Sequence, residues 1–136
     1  MKTRRGSKIK ITLSEKDIIR GSNDYLQIKK NQRELMFIRN NSGAFPIDDG
    51  KNKRRYIRFG DKGSSDFIVW MPFDNEKESG FIPFNKWVRL IAIEAKSDTG
   101  KQSKDQKEWQ SDFEAIGGEY YIVRSVDRVI NIIEGR

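Results

Sequence analysis

The sequence predicts an α/β (α+β) fold in which a central mixed β-sheet is flanked by helices. Three observations lead there. Helical and extended apolar patterns alternate along the chain. Two strand-like segments, residues 66–71 and 87–96, are apolar on both faces, as expected of strands covered from both sides. Ser14, Ser103 and Ser125 each stand just ahead of a helical pattern, where a hydroxyl can cap the helix N-terminus. At 136 residues the chain fits one domain with a real core but not two. Hydrophobic and charged residues each make up 35% of it, yet the apolar ones are clustered, which argues for folding over disorder.

Residues 1–10 read as a basic flexible arm and residues 11–136 as one folded domain. Ser14 opens the first helix with Asp17 at the capping-box position, and Ile18, Ile19, Ser22, Tyr25 and Leu26 repeat at helical spacing to about Lys30. Gly21 weakens the middle of that helix by about 1 kcal/mol relative to Ala. Leu35-Met36-Phe37-Ile38 reads as a first strand, closed by the turn signal Asn40-Asn41-Ser42-Gly43. Residues 46–54 read as a loop before a second strand, Arg55-Tyr56-Ile57-Arg58-Phe59, with one face packed and the other toward solvent or phosphate. Gly60-Asp61-Lys62-Gly63 turns into the third strand at residues 66–71, and residues 72–85 form a surface excursion.

The fourth strand, residues 87–96, is the longest. Leu90, Ala92 and Glu94 share one face of it and Ile91 and Ile93 the other, the pattern of a core strand. Ser103 begins a second helix with Gln106, Trp109, Gln110, Phe113 and Ile116 on one face, and Gly117-Gly118 stops it. A last strand at residues 120–123 precedes a short helix after Ser125, with Val126, Val129, Ile130 and Ile133 inward. Trp70, Trp87, Trp109, Phe113 and Ile116 are read as packing residues. The final Ile133-Glu134-Gly135-Arg136 matches a protease-cleavage linker and carries no functional weight.

Composition removes whole classes of chemistry. With no Cys and no His, the chain offers no disulfide framework, no Cys/His zinc site and no His-assisted nucleophile, so Ser64 and Ser65 lack a base partner. A catalytic metal would need oxygen ligands. No apolar run approaches the roughly 20 residues of a membrane span, and the basic start has no signal-peptide core, so an intracellular, cytoplasmic protein is expected. Net charge is +7 and unevenly spread: residues 1–62 hold 17 Lys/Arg against 7 Asp/Glu, and residues 63–136 hold 10 against 13. That asymmetry suits a basic surface following a phosphate backbone, with acids gathered elsewhere; a generally solvated basic protein is the plainer reading.

The acids of the second half point to a specific chemistry. Glu94 and Lys96 are two apart on a strand and therefore share a face, while Asp66 stands at the start of another strand. Phosphodiester hydrolysis needs an activated water and stabilisation of charge on the phosphate, which hard cations held by carboxylates supply. Asp66 and Glu94 are suitable ligands, the Ala95 carbonyl could add a third oxygen, and Lys96 could orient the water. Each residue also has a structural explanation. Asp66 can cap a turn, Glu94 with Lys96 can be an ion pair, and Gln106 completes a capping box with Ser103.

The ordered motifs resemble one family, the VRR-NUC (virus-type replication-repair) nucleases of the PD-(D/E)xK, restriction-endonuclease-like superfamily. Arg39-Asn40-Asn41-Ser42-Gly43 resembles its opening turn, Gly63-Ser64-Ser65-Asp66 its G-x-x-D metal site and Ile93-Glu94-Ala95-Lys96 its E-x-K strand. Residues 100–109 resemble its Q-x-x-aromatic helix, followed by Gly117-Gly118 and Tyr121-Ile122-Val123-Arg124-Ser125. The likeness covers residues 36–127, with a longer excursion at 72–86 than the family leads one to expect. It implies a restriction-endonuclease-like core and a Mg²⁺- or Mn²⁺-dependent nuclease acting on structured or branched DNA such as a Holliday junction or flap, in a phage or bacterial setting, as a homodimer. By that resemblance the catalytic residues are Asp66, Glu94, Lys96 and Gln106. The metal ligands are Asp66, Glu94 and Ala95, with Glu15 as the added acid of some superfamily members, although a first-turn acid also suits the helix dipole. Expected DNA contacts are Arg39, Asn41, Lys53, Arg54, Arg55, Arg58 and Ser64. The rival readings are a non-catalytic nucleic-acid-binding module and a small interaction protein of a phage or mobile element.

Overall fold

The computed structural model describes residues 11–41, 43–48, 50, 55–73 and 88–136. The N-terminal arm, Lys53, Arg54, Trp87 and most of the 72–86 excursion lie outside them. The first helix, α1 (Glu15–Asn31), opens with the expected capping box: Ser14 Oγ accepts from the Asp17 amide, and the Asp17 carboxylate reaches back to the Ser14 amide. Strand β1 (Met36–Arg39) follows, then β2 (Gly43–Ile47), β3 (Arg55–Phe59), β4 (Phe67–Pro72) and β5 (Val88–Ala95). Helix α2 (Lys104–Ala115) leads to β6 (Glu119–Val123) and α3 (Val126–Glu134). Ser103 and Ser125 cap α2 and α3 as their positions predict. Among the described residues, no helix is long and apolar enough to cross a membrane.

The main sheet has the order β1-β4-β5-β6, antiparallel except for the parallel β5–β6 pair. The two strands read as central, β4 and β5, are its interior strands. Alternation along them sorts the core into two layers. Phe37, Phe67, Val69, Ile91, Ile93, Ala95 and Val123 pack against Ile18 and Leu26 of α1 and Val129, Ile132 and Ile133 of α3. On the opposite face, Ala92 and Tyr120, with Leu90, meet Phe113 and Trp109 of α2.

Four expectations are corrected. The sheet is not one sheet: residues 43–47, read as turn and loop, form β2, which pairs with β3 in a separate two-stranded ribbon. The packed face expected of β3 does not appear among its described side chains, where Tyr56 and Ile57 are both exposed. The second face of the main sheet is only part-covered, since α2 reaches β5 and β6 and leaves Met36, Ile38 and Trp70 exposed. Ile116 is 77% exposed because the helix ends at Ala115, so the residue that extends the apolar pattern falls at its C-cap.

Gly21, a weak point by propensity, has a packing reason. A Cβ there would stand 2.6 Å from Val126 Cγ2, so the missing side chain is what lets α1 approach α3. Gly21→Ala is therefore expected to destabilise by roughly 1 kcal/mol despite Ala's better helix propensity, since a helical valine has one favoured rotamer and cannot easily turn away. Adding Val126→Ala should recover most of the loss from that clash. A double-mutant cycle by urea unfolding measures it, and additive effects would show that the two sites are independent.

Candidate metal and phosphodiester site

The parallel directions of β1, β5 and β6 bring their C-terminal ends to one edge of the sheet, beside the start of β4. One step beyond the paired Phe67 and Ile93, Asp66 and Glu94 stand opposite each other. Asp66 Oδ2 accepts a hydrogen bond from the Ala95 amide at 2.8 Å, fixing that carboxylate to the neighbouring strand. The Glu94 side chain is buried, 3% of the residue remaining exposed. Its Oε1 receives the Lys96 ammonium at 3.0 Å and the Gln106 amide at 2.5 Å, whereas its Oε2 is buried with no hydrogen-bond partner.

Gln106 performs both of its possible tasks with one amide group. Its Oε1 accepts from the Ser103 amide at 2.9 Å and closes the capping box, while its Nε2 holds Glu94. The loop before Asp66 is clamped onto the same helix end. Gly63 has φ +80°, and a Cβ there would lie 2.3 Å from the Asp105 carbonyl oxygen. Lys62 pairs with Asp105 at 3.1 Å, and the Trp109 indole donates to Asp61 at 3.1 Å. These contacts hold the Asp66 loop against the helix that orients Glu94.

Burial is the first cause pushing the Glu94 carboxyl up to about 7; the Asp66 charge adds to it, and Lys96 works against it. Asp66 is also raised, chiefly by burial, against the pull of the Ala95 amide and Lys96. A buried carboxylate with a bare oxygen, Glu94, and a half-buried one, Asp66, each resisting ionisation, form a donor set that a hard cation would relieve. Among the described residues, no group of three acids gathers closely enough to hold a metal on carboxylates alone. A backbone oxygen or water would have to complete the set.

Glu15 belongs to the same edge: its Oε1 accepts from the Ser97 amide at 3.3 Å, and its charge contributes to the rise at both Asp66 and Glu94. Arg39 ends β1, exposed, and its charge is felt at Asp66. Asn41 is exposed nearby in the chain, while the Asn40 amide donates to the Asp66 carbonyl at 2.8 Å. Arg55 lies on the separate ribbon, as does the backbone of Arg58. Ser64 does not join the basic surface: it is buried, and its hydroxyl donates to the Asp61 carbonyl at 2.6 Å, within the loop.

Two residues of this edge have no site role in the sequence reading, although Arg124 stands within the Tyr121–Ser125 motif. Arg124, just past β6, donates to the Ser97 carbonyl and, at 3.0 Å, to the Gly100 carbonyl, tying down the loop that follows Lys96. Tyr120 lies behind Glu94; burial, then the Glu94 charge, push its hydroxyl up to about 12, with Gln102 acting in the opposite sense. No spacing rule gives either residue a site role, because each reaches the site through the pairing of β6 with β5.

A mixed sheet between helices, with an acid from one central strand start facing an E-x-K triplet on the next strand, is a restriction-endonuclease-like core of the PD-(D/E)xK kind. The chain belongs to the VRR-NUC domain family, a family of nuclease domains, whose match covers residues 22–127. No curated protein and no solved structure matches the chain.

Proposed function

We propose that this domain is a Mg²⁺- or Mn²⁺-dependent DNA endonuclease that hydrolyses phosphodiester bonds in structured or branched DNA. The observation that carries the reading is the buried, unpartnered Glu94 Oε2 opposite Asp66, beside Lys96. Asp66, Glu94 and the Ala95 carbonyl would hold the ion, with Glu15 beside them. When bound, a divalent cation supplies Lewis-acid activation of water and neutralises charge on the scissile phosphate.

The chain's own residues do the remaining work. Gln106 fixes one oxygen of Glu94 and leaves the other available. Lys96, held by Glu94, orients the attacking water and offsets negative charge as the phosphorus–oxygen bond to the leaving group breaks. Arg39, Asn41, Lys53, Arg54, Arg55 and Arg58 provide sequence-independent contacts to the backbone phosphates, so binding should weaken steeply with salt. A homodimer would place two sites on the paired strands of a branch, and light scattering reads its mass.

The test is cleavage of labelled blunt duplex, flap and four-way-junction DNA with Mg²⁺, Mn²⁺ or EDTA. Cutting that needs the divalent ion and prefers branched DNA supports the reading. Salt-sensitive binding without cutting under any metal condition would replace it with a non-catalytic DNA-binding module.

A further inference from the structure

Resting on the reading of this domain as a DNA nuclease, we propose that Arg124 is a phosphate contact of the site, placed across the two acids from Arg39 and holding the DNA backbone beside Lys96. Strand register puts it there. β6 runs parallel to β5, with Ala95 opposite Val123. The Lys96 amide donates to the Val123 carbonyl at 2.9 Å, so the pairing continues one step and sets Lys96 and Arg124 side by side. In the order β1-β4-β5-β6, Arg39 ends one outer strand and Arg124 follows the other. Asp66 and Glu94 belong to the interior pair, so the two arginines stand on either side of them.

The Arg124 side chain is exposed, yet its guanidinium is fixed. One amino group donates to the Ser97 carbonyl and the other, at 3.0 Å, to the Gly100 carbonyl. Those carbonyls belong to a closed turn, in which the Gly100 amide donates to the Ser97 carbonyl at 3.1 Å. Glu15 braces the same turn: its Oε1 accepts from the Ser97 amide at 3.3 Å, and a Cβ on Gly100 would stand 2.9 Å from that oxygen. Both acceptors of Arg124 are neutral, so the bonds orient the guanidinium without cancelling its charge. It keeps N–H donors beyond the two that those bonds use. A planar fork held in this way loses little freedom when it meets a phosphate, whose geometry it matches. The charge is also needed. Lys96 is committed to Glu94 at 3.0 Å, and a backbone phosphate approaching Asp66 and Glu94 meets two acids that repel it. Arg124 adds a second cation beside Lys96 without a carboxylate to satisfy at either of its two bonds.

The experiment compares wild type with Arg124→Gln, which removes the charge, and Arg124→Lys, which keeps it. Fluorescence anisotropy in EDTA measures binding of a labelled blunt duplex across a series of KCl concentrations. Arg124→Gln should lose about tenfold in affinity at low salt. Its plot of log affinity against log salt should be shallower by about 0.9, the signature of one lost phosphate contact, while Arg124→Lys keeps the wild-type slope. A residue that only ties down the loop would lower the melting temperature and leave the slope alone. An unchanged slope in folded Arg124→Gln therefore overturns the proposal. Should that variant fail to fold, modification of wild type by phenylglyoxal, mapped by mass spectrometry, decides instead. Duplex DNA should protect Arg124, and equal modification with and without DNA overturns the proposal. Failure of the nuclease reading looks different: the slope changes as expected in Arg124→Gln, but wild type cuts no DNA with Mg²⁺ or Mn²⁺.

Discussion

Glu94→Gln is expected to lower metal-dependent cleavage on the order of a thousandfold or more, since a metal's charge stabilisation is worth several kcal/mol and each 1.36 kcal/mol is a tenfold change in rate. The substitution keeps the side chain's shape and an oxygen that can accept from Gln106, so the fold and DNA binding should survive. It also removes a pH signature. The folded-state value for Glu94, about 7, lies above its ordinary 4.5, so the folded protein favours the neutral carboxyl. Its contribution to stability is complete below about 4.5 and lost as pH rises through 7. The lost contribution is on the order of 3 kcal/mol. Without divalent ions, wild-type stability should therefore fall relative to Glu94→Gln across that window. Mg²⁺ or Mn²⁺ should restore wild type most at its alkaline end, where the carboxylate is ionised. Urea unfolding at stepped pH, with EDTA and then with metal, reads both effects. Parallel pH profiles of the two proteins would mean that Glu94 is already ionised in the fold, and cleavage retained in Glu94→Gln would remove it from the metal site.

Gly63→Ala should be the most damaging single substitution outside the acids. The backbone there has φ +80°, which costs an L-residue about 1–2 kcal/mol, and the new methyl would meet the Asp105 backbone at 2.3 Å. Unlike a side-chain tip, that backbone cannot turn aside, because it forms the first turn of α2. The combined loss should be roughly 3 kcal/mol, or a melting temperature lower by about 10 °C. Relief of the clash separates the Asp66 loop from the helix that carries Gln106. Activity at a temperature where the variant is still folded should therefore fall as well. A variant with wild-type melting and turnover would show that the loop accommodates the methyl by sliding, and that the clamp does not set the site.

The three capped helices were legible because capping is local: a serine and its partner three residues on define the end of a helix wherever it later packs. The Glu94-Lys96 face was legible for the same reason, since strand alternation needs only the residues themselves. The ribbon was not. Gly43 and Pro46 give β2 turn-like chemistry, and a proline is tolerated there because β2 is an edge strand. Ile116 misled in the opposite direction, its apolar side chain continuing a helical pattern one residue past Ala115.

By itself, then, the sequence determined which acids and which lysine are present, the faces they share and the helix ends that can support them. Only the tertiary structure decided that Asp66 meets Glu94, that Gln106 reaches across 12 residues to hold it, and that Arg124 and Tyr120 join the same edge. Those relations depend on the order β1-β4-β5-β6 and on the close approaches at Gly21 and Gly63. Pairing and packing between distant segments carry no local signature, because their free energy comes from surface buried when the whole sheet assembles.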